Sequence, residues 1–170
     1  MKKSLKKGFT LVELVIVIAV IAILSAVLIP TFGNVIQNSK DTAAYQNASN
    51  AVNGYIVNQA ENENAAQLGE GYIVVLNSAY EYKKSESTHT FNVDKNTYVF
   101  QYDGNAVVKI GGKFVKGADS KTVTVTGLDV DTTNKTWTTT EGITAIPLNY
   151  KFTTNGVSAT VWWVKTNPVA

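Results

Sequence analysis

Lys6-Lys7-Gly8-Phe9-Thr10-Leu11-Val12-Glu13-Leu14 opens an apolar run that continues to Ile29, and its reading decides the fold. From Phe9 to Ile29 only Thr10, Glu13 and Ser25 interrupt it. About 21 residues at a helical rise cover roughly 30 Å, the thickness of a bilayer core. The sequence therefore predicts a membrane-spanning helix, with Lys2, Lys3, Lys6 and Lys7 keeping its start cytoplasmic and everything after Pro30 on the opposite side. A secretory signal peptide fits less well. Its apolar core is about 7 to 15 residues and ends at a small-x-small site, whereas Ser25-Ala26-Val27-Leu28-Ile29-Pro30 stays apolar. Glu13 is the anomaly, because a carboxylate at the centre of such a helix costs roughly 2.5 to 3.5 kcal/mol, less near its end, and calls for a partner.

Gly8-Phe9-Thr10-Leu11-Val12-Glu13-Leu14 resembles the processing motif of type IV pilins and the related pseudopilins. The resemblance covers about Lys6 to Phe32. It implies that a prepilin peptidase cuts after Gly8, that Phe9 becomes the N-methylated new amino terminus, and that Glu13 stands at the fifth position beyond the cut. Pro30 lies where the family often carries a helix-kinking proline. The implied architecture is α+β, a long amino-terminal α-helix with a membrane-spanning first half packed against an antiparallel β-sheet. Its parts are a leader over 1–8, a transmembrane and filament-core helix over 9–32, and an extracytoplasmic globular domain over 33–170. In that domain an amphipathic helix runs to about 62, followed by a connecting loop and the sheet. The implied function is that of a structural subunit of a type IV pilus, used for adhesion or motility. The alternative is a minor pilin, or a pseudopilin of a type II secretion or competence system. The expected partners are other pilin subunits, prepilin peptidase, the pilus assembly machinery and, before assembly, the inner or cytoplasmic membrane; the filament itself is extracellular.

Physical chemistry gives those roles a reason. Cutting after Gly8 creates an amine on Phe9 whose ordinary pKa is near 8, so a cation appears at the membrane face. Glu13 lies four residues on and can meet that amine within its own helix or complement the positive helix end. The resemblance implies instead that it pairs with the amine of a neighbouring subunit, so that assembly neutralises a charge that is costly in lipid.

Beyond Phe32, Tyr45, Ala48, Val52, Tyr55, Ile56 and Gln59 recur at three- and four-residue steps and predict a helix face that packs on the domain. The run Glu61-Asn62-Glu63-Asn64 predicts its end. Past Gly69-Glu70-Gly71 the pattern turns to strands. Tyr98 to Tyr102 and Ala106 to Ile110 flank Asp103-Gly104 as a hairpin, Thr122 to Thr126 alternates, and Tyr150 to Thr153 and Ser158 to Lys165 flank Thr154-Asn155-Gly156. Tyr72 to Leu76 reads as a strand or a connection, and 78–96 has no readable period. Trp162 and Trp163 are adjacent, so in a strand they face opposite ways: one toward the core, the other toward intrachain cover or a partner.

Composition excludes several functions. The chain carries +2, and loss of the four leader lysines leaves −2, which is no nucleic-acid footprint. All basic side chains are lysine. No cysteine is present, so disulfides, thiolate metal sites and cysteine nucleophiles are excluded. Combined with the resemblance, the missing disulfide favours a Gram-positive source. No enzyme is expected. His89, the single histidine, sits in a polar stretch that reads as a solvated loop, and neither Gly69-x-Gly71 nor Gly111-Gly112-Lys113 completes a nucleotide-binding pattern. Asp129, Asp131 and Asn134 offer oxygens to calcium but lack the glycine and distal glutamate of a calcium loop, so an ordinary turn and no metal or other cofactor are expected.

Overall fold

One α-helix, α1, runs over Leu11–Glu61 in the structure, a computed structural model that describes residues 8–61, 66–118 and 121–170. The expected helix stop at Asn62 to Asn64 lies outside the described residues, as do the four leader lysines. The chain divides into two compact units, 1–40 and 41–170.

In the first unit α1 is apolar on every side from Leu14 to Ile29. Between Leu11 and Ile36 every residue is exposed except the half-exposed Ser25. Its best 18-residue window has a mean hydropathy of 3.1, and the helix is long and apolar enough to cross a membrane. A helix without a polar stripe is one made for lipid or for a bundle of its own kind. Pro30 does not end it. Proline lacks the amide that the Ala26 carbonyl would accept, and one residue on, the Thr31 hydroxyl donates to the Val27 and Leu28 carbonyls at 2.8 and 2.9 Å. Such back-bonding is a usual companion of a bend.

The second unit holds the rest of α1 and strands β1 (Gly71–Lys83), β2 (His89–Val93), β3 (Tyr98–Tyr102), β4 (Val107–Val108), β5 (Val115–Lys116), β6 (Lys121–Val125), β7 (Leu128–Asp131), β8 (Thr136–Thr139), β9 (Ala145–Pro147), β10 (Lys151–Phe152) and β11 (Gly156–Val164). The main sheet is antiparallel in the order β10-β11-β1-β3-β4, with β9 also on β11 and β5 also on β3. β2 pairs β6, and β7 pairs β8, as separate two-stranded sheets.

Both faces of the main sheet are buried, and strand alternation sorts its side chains between two cores. Ile73, Val75, Tyr98, Phe100, Val161 and Trp163 face Ala44, Ala48, Ala51, Val52 and Tyr55 of α1. Val74, Val99, Trp162 and Val164 face Phe91 and Val93 of β2, Val123 and Val125 of β6, and Leu128 and Val130 of β7. The register locks the split, with Ile73 between Trp163 and Phe100 and Val74 between Trp162 and Val99. Trp162 therefore meets intrachain cover, the first of the two outcomes open to the outward tryptophan. The helix face is shifted from its expectation: Ala44 and Ala51 join the core, while Ile56 is 41% exposed. Alanines there let the helix approach the sheet closely enough for the bulky strand residues to fill the gap. Tyrosine hydroxyls fasten it, Tyr45 donating to the Val107 carbonyl at 3.0 Å, Tyr98 to Asp41 at 2.6 Å and Tyr55 to the Ala66 carbonyl at 2.8 Å. Burial pushes the Tyr55 hydroxyl far above the usual tyrosine value.

Candidate functional site

The helix start is built by Thr10 and Glu13. Residues 8–10 are non-helical and α1 begins at Leu11, which makes Thr10 the N-cap and Glu13 the third helical residue. The Thr10 amide and hydroxyl both donate to Glu13 Oε2 at 2.8 Å, and the Glu13 amide donates back to the Thr10 hydroxyl at 3.2 Å. The Leu14 amide closes the first turn on the Thr10 carbonyl at 3.2 Å. This is a capping box, the reciprocal arrangement that satisfies otherwise orphaned helix amides. Glu13 thus has a partner inside its own helix. Sequence reading had assigned Thr10 no role, although the pattern Thr-x-x-Glu ahead of an apolar run is the signal of this cap.

The geometry divides the carboxylate. Oε2 takes the cap, and no described hydrogen bond engages Oε1. Lys83 pairs with Glu86 and Lys84 with Asp129, and Glu13 takes part in neither pair. The Gly8–Phe9 peptide bond lies outside the cap, so a cut there would leave both Thr10 bonds in place. The Phe9 side chain is 85% exposed, and Gly8 has open space where a Cβ would stand.

The remaining sequence candidates fall elsewhere. His89 is not in a solvated loop: it opens β2, is 5% exposed and stacks on Tyr82 with ring centroids 3.7 Å apart. The polar run ends at Thr88, and His89 takes the inward phase shared by Phe91 and Val93. Its Nδ1 is buried with no hydrogen-bond partner. Gly71 packs directly under Trp163, and Gly111 and Gly112 adopt positive φ in a turn. Asp131 closes the β7–β8 turn on itself. The Asn134 carboxamide and the amides of Asn134 and Thr133 donate to it and hold its carboxyl below the usual aspartate value. Asp129 lies 3.8 Å from Lys84 Nζ.

The chain matches the family model of the prokaryotic N-terminal methylation motif over residues 3–29. Curated relatives include type IV major fimbrial proteins of Dichelobacter nodosus, 58% identical over 38 residues. That match spans 22% of this chain and 24% of the relative, about a quarter of its length. No solved structure matches the chain. The amino-terminal segment is therefore similar to that of type IV major fimbrial proteins.

Proposed function

We propose that this chain is a structural pilin: a precursor anchored by its amino-terminal helix, cut after Gly8, methylated on Phe9 and assembled through that helix into an extracellular filament for adhesion or motility. The single observation that carries the reading is a capped, all-round apolar helix with one carboxylate, Glu13, in its first turn. Its exposed side chains need either lipid or copies of themselves. In the membrane, Oε2 is neutralised in part by the Thr10 donors. Once the leader is removed, Oε1 remains to receive the Phe9 amine of the same or a neighbouring subunit, and the neighbour's amine rewards packing side by side. A charged contact across lipid-facing helices is one that water does not dilute.

The relatives matched over the amino-terminal 38 residues are major fimbrial proteins, which supports a major filament subunit over a minor pilin or pseudopilin. Surface filaments sheared from cells and analysed by mass spectrometry separate these readings. A dominant chain beginning at methylated Phe9 is the expected result, and trace amounts select the minor role. A chain found only in membranes and beginning at Met1 overturns both. Glu13→Leu is expected to insert normally and to be absent from filaments; wild-type filament yield from that variant would refute the assembly role.

A further inference from the structure

Strand β1 abandons its register on β11 between Val75 and Tyr80. Val75 faces Val161 and Tyr80 faces Ala159, so Leu76, Asn77, Ser78 and Ala79 stand opposite Thr160 alone. A bulge of this size gives up ladder hydrogen bonds, and such irregularities mark designed features of a sheet. Here it carries Asn77 and Ser78 out to form one wall of a groove of about 360 Å³. The opposite wall comes from β2, where the alternation that buries His89, Phe91 and Val93 leaves Thr90 and Asn92 exposed in the groove, with Asp94 following. That volume is ordinary for a small-molecule site.

The lining is chemically narrow. Among the described residues no hydrogen bond engages the side chains of Asn77, Ser78 or Thr90. Asn92 accepts from the Thr122 hydroxyl through Oδ1 at 3.2 Å, which leaves its amide nitrogen as a donor. Asp94 Oδ1 receives the Asn96 amide at 2.8 Å and the Thr97 hydroxyl at 3.0 Å, so its carboxylate is held in place with Oδ2 still able to accept. Tyr80 stands beside these groups, its ring fixed between Phe91 and Trp162 at centroid distances of 5.4 and 5.7 Å. No lysine lines the groove, so an anion finds no counter-charge, and a single carboxylate is a poor cage for a metal ion. An apolar ligand would strand the amides and hydroxyls without partners. A ligand that offers hydroxyl donors and acceptors at its rim and no charge satisfies all of them.

The geometry points to a saccharide-binding groove at the β1 bulge, in which Asn77, Ser78, Asn92 and Asp94 hydrogen-bond the hydroxyls of a neutral sugar unit beside the Tyr80 ring. This site lies wholly in the 41–170 unit and stands apart from the filament reading. The test uses the full-length chain in a zwitterionic detergent without a sugar head group. Glucose, galactose, mannose and N-acetylglucosamine are titrated separately while the side-chain amide signals of Asn77 and Asn92 are followed by NMR. A saturable shift of these signals with at least one sugar is expected, and the Asn77→Ala/Asn92→Ala pair should weaken it about tenfold, as loss of two uncharged hydrogen bonds predicts. Both positions are exposed, so the variant is expected to keep the wild-type backbone spectrum. The proposal is overturned if none of the sugars gives a saturable shift, if the double variant binds as wild type, or if inorganic phosphate moves the same signals and the sugars do not.

Discussion

Thr10 and His89 are the two residues whose surroundings say more than their neighbours in sequence. The Thr10 hydroxyl both donates to Glu13 and accepts its amide, so Thr10→Val removes the N-cap while keeping the side-chain shape. A cap of this kind contributes about 1 kcal/mol, and hydrogen exchange at the Leu14 amide is therefore expected to quicken about fivefold. Unchanged exchange would mean that Glu13 alone organises the first turn. His89 keeps a ring stacked on Tyr82 but buries an unpaired Nδ1. Phenylalanine would retain the stack and discard the orphaned nitrogen, whose burial costs about 1 to 3 kcal/mol. His89→Phe is accordingly expected to melt at or above the wild-type temperature, and His89→Ala, which loses the stack, below it. A clear fall in Tm for His89→Phe would reveal a partner that the buried nitrogen needs.

Among the elements, the hairpins were the most legible. Asp103-Gly104 turns at a Gly104 φ of 90° with Asp103 accepting the amides of Asn105 and Ala106, and Thr154-Asn155-Gly156 joins β10 to β11. Turn chemistry is local, so sequence alone carries it. The second half of β1 and the whole of β2 were illegible for the opposite reason. The bulge at Asn77-Ser78 breaks the alternation of β1 halfway, and β2 finds its partner β6 only some thirty residues later. The unbroken apolar runs Tyr72 to Leu76 and Val161 to Val164 carried a further clue: an antiparallel strand with no polar phase has both faces covered. Close packing of β1 on β11 also sets the role of Gly71. A Cβ there would stand 2.6 Å from Trp163 Nε1 and 2.7 Å from the Val164 carbonyl. Gly71→Ala is expected to destabilise the fold by about 1 to 3 kcal/mol, read as a lower denaturant midpoint. A midpoint equal to wild type would show that the tryptophan can retreat.

At the scale of the molecule, the 41–170 unit owns a complete set of cores: its share of α1 covers one face of the sheet, and β2, β6 and β7 cover the other. Its core residues run from Ala44 to Val169, and a chain of this size can stand without disulfides. A fragment of residues 41–170 is expected to be soluble without detergent and to melt cooperatively at a temperature independent of concentration. Aggregation, or a near-ultraviolet spectrum without tertiary signal, would show that the first unit supports the second. The Thr10–Glu13 cap is written in the Thr-x-x-Glu spacing of one chain segment, whereas the groove proposed for saccharide arises from a register change that no local pattern encodes. The capping box has one consequence for the processing proposed above. By fixing where the helix begins, Thr10 and Glu13 act as a ruler: the Gly8–Phe9 bond stands as non-helical backbone at a constant distance from the first turn, and on the proposed cut after Gly8 a protease would not need to unwind the helix to reach it.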